Sequence, residues 1–431
     1  MKTRLIFLLP LLWLVMGCSD SDSDKATLEL SQSTFNDVSS TGSSLKVSII
    51  CSSTWKISSN QSWCIPNLQS GSNDGDIILT INANTTSNER TATVTIISKK
   101  VSKTIKITQS ASTSTGELHY KLPVIFHVLY KDKTDRKQYV DKGRLAQIIN
   151  ACNLIYKNKI YQSDKYNISQ DMNLEFVMAT ETPDGTPLDE PGVERIEWET
   201  SSMSCVEFMD GKDSKTKEYA KMLWNPKVYI NIFIYPFTEN NILGISHLPY
   251  YISSYPLEGL NKGDYYLKNE VDYPHCVSIN SNYIYINTNS EYYYAQDVYV
   301  TLAHELGHYL GLHHTFSEDG DNTDLCQDTD FCEDTPTYNI TEYTRWMNSI
   351  NIDDYTLKEL CTRNDCETGT FVSRNIMDYA FCYSDQFTPN QRNRIRHVLS
   401  YSPLIPGSKN YSDSDTRSIT SDERPPIQFK Y

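Results

Sequence analysis

Positive charge is scarce in this sequence. Its 431 residues include 39 Lys and Arg against 54 Asp and Glu, which gives a formal net charge of −15 at pH 7. An acidic chain is repelled by nucleic-acid phosphates and by anionic membrane surfaces, so neither is expected as a partner. The simplest role of the charge is solubility. The hydrophobic content of 39% is that of a folded protein, and the length suggests roughly two or three domains.

The start of the chain lacks a hydrophobic run long enough to cross a bilayer as a mature helix. Lys2 and Arg4 precede the apolar run Leu5–Met16, a pattern typical of a signal peptide, which we assign to residues 1–17. Residues Val15–Cys18 resemble a bacterial lipobox, and cleavage there would leave Cys18 to carry lipid. An ordinary secretory signal followed by a coincidental cysteine is the alternative.

A short acidic segment follows the lipobox. Residues 18–25 include Ser19–Asp24, in which Ser and Asp alternate. This segment resembles an export tag of bacterial surface lipoproteins, and a solvated tether is the alternative. The prediction is an outer-membrane lipoprotein, exposed at the cell surface and held to the membrane by lipid on Cys18. Outside the cytoplasm, disulfides can persist.

The most informative pattern in the chain is the segment His304–His314, with the sequence HELGHYLGLHH. His304 and His308 are four residues apart, so on a helix both project from one face and can bind one ion. Apolar residues recur at helical spacing over Val298–Leu312, and Asp297 is a suitable N-cap. The segment therefore predicts a helix that presents two metal ligands.

Further residues of this segment complete the predicted site. Gly311 permits the left-handed backbone that ends the helix and brings His314 back to the same ion. Three neutral imidazoles with one open position are the ligand set of a catalytic zinc. Glu305 lies beside the ion, where it can take a proton from water. His313 does not match the ligand spacing and is expected behind the ligands or at the surface.

Residues 26–112 predict an all-β sandwich. Alternating or β-branched runs are separated by breaks rich in Ser, Asn, Gly and Asp. The predicted strands are Thr27–Leu30, Ser44–Ile50, Ile77–Asn82, Thr91–Ser98 and Lys103–Gln109. Trp63 is either a core residue or a carbohydrate-stacking face, and burial tendency favours the core. Cys51 and Cys64 are candidates for a disulfide within this domain.

A linker at residues 113–117 leads to a second domain, 118–401. Lys121–Tyr130 and Val228–Tyr235 predict central strands, and residues 141–158 predict a helix that backs them. Asn241–Tyr250 predicts an edge strand, whose free N–H and C=O groups can pair with an extended peptide. The order of elements indicates a mixed sheet of α+β type, with its helices on one face.

The sequence is similar to two known families. Trp55, Trp63-Cys64, Arg90–Ile96 and Ile107–Gln109 resemble a BACON module, an immunoglobulin-like domain. The segment His304–His314 resembles the metzincin zinc-binding signature. Four further segments resemble pappalysins, a metzincin family: His314–Phe316; Cys326 with Asp330–Pro336; Asn375–Tyr379; and Cys382 with Phe387–Gln391. The second resemblance implies an α+β zincin (metzincin) catalytic domain that follows an Ig-like sandwich.

The pappalysin resemblance implies roles for residues outside the zinc helix. Met377 would be the Met-turn methionine, an apolar floor under the imidazoles, and Tyr379 would donate a hydrogen bond to the oxyanion. Asp330, Thr335 and the carbonyl of Glu333 match positions that hold calcium in the family. A solvated acidic loop is the alternative there. An insert around 337–360 and a short gap between Met377 and Cys382 depart from the family pattern.

The 11 cysteines lack CxxC spacing, so a second metal cluster is not expected. With Cys18 assigned to lipid and Cys51 and Cys64 to the sandwich, eight remain in the second domain. The family resemblance implies the pairs Cys326–Cys366 and Cys361–Cys382.

The expected function is that of a surface-anchored, zinc-dependent endopeptidase acting on extracellular proteins or peptides. The alternative is an inactive zincin scaffold that serves as an adhesin or glycan-binding lipoprotein, with glycan contacts through the first domain. Residues 402–431 lack periodicity and contain Ser, Asp and Pro-Pro. They predict a polar tail that packs loosely or not at all.

Overall fold

The structure of the protein is a computed structural model. It describes residues 27–40, 43–61, 63–66, 68–81, 84, 88–111, 117–159, 169–210, 214–267, 269–288, 295–317, 326–366, 369–379, 381–411 and 424–431. The predicted signal peptide, the lipidation site Cys18 and the tether therefore lie outside the described residues. The chain divides into two compact units, 1–113 and 114–431.

The first unit contains two sheets. Its strands are β1 (Leu28–Leu30), β2 (Thr34–Val38), β3 (Ser43–Cys51), β4 (Thr54–Ser59), β5 (Cys64–Pro66), β6 (Ser70–Ser72), β7 (Gly75–Ile81), β8 (Arg90–Ser98) and β9 (Val101–Gln109). One sheet has the order β1-β3-β7-β5 and the other β2-β9-β8-β4-β6. Alternate residues such as Val94 and Ile107 are buried in one core with Trp55, because successive side chains of a strand face opposite ways. The predicted sandwich is present.

The structure contradicts the Cys51–Cys64 pairing, since both residues are thiols. Ile49, two residues before Cys51, pairs with Gly75, whereas Cys64 pairs with Ile81 at the other end of β7. Six residues of strand span about 20 Å, far beyond the Cα separation of about 4–7 Å that a disulfide tolerates.

Trp63 is half-buried and packs against the sandwich core. The Arg90 guanidinium lies 4.2 Å from the centre of its ring. One aromatic face is thus covered by a cation, which favours a packing role over sugar stacking.

The second unit is a mixed α/β domain. Its strands are β10 (Tyr120–Tyr130), β11 (Leu174–Met178), β12 (Val193–Glu197), β13 (Ile230–Tyr235), β14 (Gly244–His247), β15 (Tyr250–Tyr251), β16 (Asn261–Lys262), β17 (Val277–Asn280), β18 (Thr362–Asn364), β19 (Thr370–Val372) and β20 (Ile427–Lys430). Its helices are α1 (Arg144–Tyr156), α2 (Cys205–Asp210), α3 (Ser214–Ala220), α4 (Val298–Tyr309), α5 (Ile340–Met347), α6 (Leu357–Leu360) and α7 (Pro389–Tyr401). Short 3₁₀ helices occupy Asp264–Leu267, Ser281–Tyr283 and Ile352–Asp354.

The main sheet has the order β11-β10-β13-β17-β14-β20, with β12 also paired to β10. β14 is antiparallel to β17, whereas β10, β13 and β17 run parallel. Helices cover both faces, so the expectation of helices on one face is wrong. Ile232 and Ile234 of β13 pack in the core that includes α1 and α4, whereas Phe233 and Tyr235 pack with Phe208 of α2. Two covered faces explain why every residue of β13 is buried.

The expectation of a loosely packed tail is wrong for the last strand. β20 pairs antiparallel with β14, placing Gly244 opposite Lys430 and His247 opposite Ile427. The predicted edge strand β14 is therefore flanked by β17 on one side and by β20 on the other. The sequence of β20 has no periodicity, and this strand forms because it pairs with β14. A local sequence pattern does not contain that information.

Of the helices that the structure describes, none is long and apolar enough to cross a membrane.

Candidate active site

Helix α4 is held at its start by Asp297. One carboxylate oxygen of Asp297 accepts the Tyr299 N–H at 2.8 Å, and the other accepts the Thr288 N–H at 2.8 Å. This N-cap satisfies a donor that the first helical turn leaves open. From this fixed start, the helix places His304 and His308 on one buried face.

Three histidine rings meet at one point. The Nε2 atoms of His304, His308 and His314 are separated by 3.0–3.1 Å. Each of the first two rings is oriented by a carbonyl: His304 Nδ1 lies 2.8 Å from the Ile376 oxygen and His308 Nδ1 lies 2.8 Å from the Leu312 oxygen. A carbonyl can only accept, so Nδ1 carries the proton and Nε2 presents its lone pair.

The three rings fit a zinc ion. Zn–N bonds are about 2.0–2.1 Å, and donors 3.0–3.1 Å apart can all lie at that distance from one point. Burial lowers the pKa of His304 and His308 well below the ordinary value, so both rings are neutral, as ligation requires. In the part of the chain that the structure describes, these three residues form the one group of His, Cys, Asp or Glu with this geometry.

Gly311 makes the turn that returns the third histidine. Its φ of +93° lies in the left-handed region, which glycine adopts without strain. The Leu312 N–H donates to the Gly307 carbonyl at 2.9 Å, and Arg394 of α7 donates to the Gly311 carbonyl at 3.1 Å. His314 then stacks on Phe316 with a centroid distance of 4.7 Å.

His313 is not part of this cluster. Its ring is buried and meets the edge of Phe331 at 5.2 Å. Burial lowers the pKa of His313 to about 3. The residue is therefore a neutral side chain behind the turn and not a surface histidine.

Glu305 is a buried carboxylic acid without an internal partner. Neither of its side-chain oxygens has a hydrogen-bond partner among the described residues. Burial raises the pKa of Glu305 well above its ordinary value. Leaving such oxygens unsatisfied is costly, so their natural partners are a water or substrate group from outside the chain. A Cβ built on Gly244 would lie 2.6 Å from Glu305 Cγ, so this glycine lets β14 approach the acid.

Met377 lies under the zinc helix. It is fully buried, and a Cβ built on Gly307 would lie 2.5 Å from its sulfur. Gly307 stands between His304 and His308, so the contact supports the helix turn that carries both rings. Sequence reasoning missed Gly307, although a glycine inside a helix costs about 1 kcal/mol relative to alanine and was itself a signal of close packing.

Tyr379 reaches the histidine cluster from the loop after β19. Its ring centroid is 4.5 Å from that of His314 and 6.0 Å from that of His304. Its hydroxyl donates to the Phe429 carbonyl of β20 at 2.6 Å. The same carbonyl oxygen lies 3.0 Å from His314 Nε2. A peptide carbonyl in the cleft is thus within reach of both Tyr379 and a ligand nitrogen.

A buried network holds the Met377–Tyr379 loop. Asp378 accepts hydrogen bonds from the hydroxyls of Tyr338 and Ser373. Arg363 is also buried and lies 3.7 Å from the Asp378 carboxylate. Its guanidinium donates to the Phe381 carbonyl at 2.8 Å and covers the Tyr343 ring at 3.6 Å.

The structure contains the Cys326–Cys366 disulfide. It contradicts the Cys361–Cys382 pairing, because both are thiols. The Cys382 sulfur instead lies 3.1 Å from the Asn375 carbonyl oxygen, which accepts its hydrogen bond, and receives the Ser384 N–H at 3.3 Å.

Of the calcium candidates, Asp330 and Thr335 are in contact, since the Thr335 hydroxyl donates to Asp330 at 2.7 Å. Glu333 is exposed. The structure brings two of the three together by a direct hydrogen bond, and calcium binding there stays a prediction.

Two family models match the chain. Residues 213–400 match a peptidase family described as pregnancy-associated plasma protein-A. Residues 53–110 match BACON, described as an N-terminal binding domain.

Curated relatives share parts of the chain. An extracellular metalloprotease of Arthroderma benhamiae is 37% identical over 97 residues, which are 22% of this chain and 29% of that protein. A xyloglucan-specific endo-beta-1,4-glucanase of Bacteroides ovatus is 37% identical over 95 residues, 22% of this chain and 19% of that protein. The chain thus spans less than a third of the length of either relative.

Among solved structures, mature mirolysin of Tannerella forsythia in complex with a cleaved peptide is 20% identical, with a TM-score of 0.46. The match covers 66% of this chain and 93% of that structure. Residues 53–110 are thus similar to BACON domains, and residues 213–400, which include the three histidines, are similar to the pregnancy-associated plasma protein-A peptidase family.

Proposed function

We propose that the chain is a zinc-dependent endopeptidase. One observation carries the proposal: three converging Nε2 atoms lie beside a buried Glu305 whose oxygens have no partner among the described residues. A scaffold that only binds ligands has no need for a costly, unsatisfied acid. The inactive-scaffold alternative would be favoured by loss of one of these groups, and all are in place.

His304, His308 and His314 would hold the ion. When bound, Zn²⁺ supplies a Lewis acid that polarises the peptide carbonyl and activates water. The positive charge of a bound ion would favour the ionised form of Glu305, and the Glu305 carboxylate would take a proton from water and pass it to the leaving amine. Its burial next to β14 keeps it aimed at the cleft and away from bulk solvent.

The substrate would bind as an added strand. Such a peptide would take the side of β14 opposite β17, which β20 occupies in this structure, and would run antiparallel to β14 so that both backbones are satisfied. A substrate carbonyl in the position of the Phe429 carbonyl would accept a hydrogen bond from the Tyr379 hydroxyl. Tyr379 would then be the donor to the oxyanion.

The setting of the enzyme is also a proposal. The fungal relatives are named extracellular metalloproteases, in line with a secreted or surface location. A lipid anchor on Cys18, an outer-membrane location, calcium at Asp330, Glu333 and Thr335, and glycan contact by the first unit stay predictions.

A digest of a peptide library by the full, zinc-loaded chain tests the function. Cleavage should stop with a zinc chelator and return with Zn²⁺. Glu305→Gln should lower the rate about 10²–10⁴-fold with unchanged zinc content, whereas Glu342→Gln on the exposed side of α5 should have no effect. Full activity of Glu305→Gln, or cleavage that a zinc chelator does not stop, would reject the proposal.

A further inference from the structure

β20 lies where the proposed substrate strand would lie. It runs antiparallel to β14 on the side that β17 leaves open. The flanking amides of β14 are also engaged: the Leu243 N–H donates to the Lys430 carbonyl at 2.7 Å, and the Leu248 N–H donates to the Pro426 carbonyl at 3.0 Å. The edge that would receive a peptide is therefore paired within the chain.

The backbone of β20 also reaches the catalytic groups. The Phe429 carbonyl accepts the Tyr379 hydroxyl at 2.6 Å and lies 3.0 Å from His314 Nε2. A single hydroxyl proton serves one acceptor at a time, so a substrate carbonyl cannot use Tyr379 while Phe429 does.

Lys430 anchors the strand beside the active-site acid. Its side chain is only 3% exposed, and its ammonium donates to the Asp378 carbonyl at 3.2 Å. Burial lowers the pKa of Lys430, and the nearby carboxylates of Glu305 and Asp378 act in the opposite direction. A buried lysine needs such partners, so Lys430 fixes the position of β20 along the cleft.

We propose that residues 424–431 are an intramolecular ligand of the catalytic cleft, and that β20 must leave before an external peptide can bind. The inference rests on the proposed function of the cleft. Both ligands need the same strand edge and the same Tyr379 hydroxyl, so their binding is mutually exclusive. The chain thereby inhibits its own activity.

The strength of this autoinhibition depends on the fraction of open molecules, in which β20 has left the cleft. If about one molecule in ten is open, an external peptide binds about tenfold more weakly than to a permanently open cleft. A tethered strand is present at an effective concentration on the order of millimolar. Even a segment with modest affinity would therefore occupy most molecules.

The first test measures amide hydrogen exchange in the Glu305→Gln background, where nothing is cleaved. A chain ending at Glu423 should exchange the Leu243 and Leu248 amides at least tenfold faster than the full chain. The His247 amide is the internal control, because it donates to the Cys276 carbonyl on the β17 side and should not change. Gln428→Pro in the full chain should reproduce the shortened chain, since Gln428 lies opposite Ser246 of β14 and proline has no N–H to give to the ladder.

The second test uses a fluorescent copy of residues 424–431. It should bind the shortened chain and the Gln428→Pro chain at least tenfold more tightly than the full chain. Gln428→Ala, which keeps the backbone of β20, should behave like the full chain. Unchanged exchange of Leu243 and Leu248, or equal peptide binding by full and shortened chains, would overturn the proposal.

These readouts require no catalysis. If they succeed while a library digest by the zinc-loaded shortened chain fails, the occupied cleft stands and the peptidase function falls. If full and shortened chains cleave equally and their Leu243 and Leu248 amides exchange alike, the peptidase function is supported and the autoinhibition by β20 is rejected.

Discussion

The contact between Gly307 and Met377 makes a sharp prediction about how the zinc helix is supported. In Gly307→Ala, the new Cβ would lie 2.5 Å from Met377 Sδ and 3.2 Å from Met377 Cε. Met377 is fully buried, so its side chain has to displace its neighbours to move. The substitution therefore combines a helix-favouring change with local overpacking.

The two effects have opposite signs. Alanine in a helix interior is about 1 kcal/mol more favourable than glycine, whereas overpacking a buried contact costs about 1–3 kcal/mol. Gly307→Ala should thus lower the free energy of unfolding by about 0–2 kcal/mol. Met377→Ala alone should lower it by about 2–5 kcal/mol through the cavity it leaves. In the Met377→Ala background the clash is gone, so Gly307→Ala should raise stability by about 1 kcal/mol.

Urea unfolding of the two single variants and the double variant measures this sign reversal as a coupling energy of about 1–3 kcal/mol. The unfolding transition of the first unit, to which neither residue belongs, is the internal control. If Gly307→Ala stabilises the protein equally with and without Met377, the methionine does not support the helix at Gly307, and its role as a floor is refuted.

Three more perturbations test the site. Asp297→Ala should cost about 1–2 kcal/mol and weaken zinc binding in a titration; Asn339→Ala, which removes the cap of α5, should cost about as much and leave zinc affinity unchanged. Zn²⁺ should raise the Tm of the wild type, and His314→Ala should lose this rise; an unchanged rise rejects the ligand. Burial lowers the pKa of His247 to about 4, so between that value and about 6.5 the unfolded chain binds more protons and stability falls as pH falls. His247→Phe should remove up to about 3 kcal/mol of this pH dependence; equal pH profiles for His247→Phe and wild type would contradict it.

The zinc helix could be predicted because its information is local. The N-cap at Asp297, the four-residue spacing of His304 and His308, and the positive φ of Gly311 each follow from a few neighbouring residues. The helix ends at Tyr309 and not at Leu312, because the turn to His314 begins earlier than the apolar pattern suggests.

The failures concern pairings between distant parts of the chain. Cys51 and Cys64 belong to one sheet but lie at opposite ends of β7, a fact of strand order that spacing does not contain. β20 has four residues and no periodicity, and only β14, far earlier in the sequence, makes it a strand. The need for a glycine at position 244 could not be predicted from the sequence around it. The side chain that comes close to Gly244 belongs to Glu305, which lies on helix α4.

The contacts of Arg363 limit how the insert around residues 337–360 can be replaced in protein engineering. Its guanidinium joins Tyr343 of the insert to the Phe381 carbonyl and to Asp378 beside the proposed oxyanion donor. Replacing the insert with a shorter loop from a relative would leave a buried cation without its aromatic cover. A successful loop exchange in this protein would therefore have to transfer Tyr343, Arg363 and Asp378 as one block, or substitute all three together.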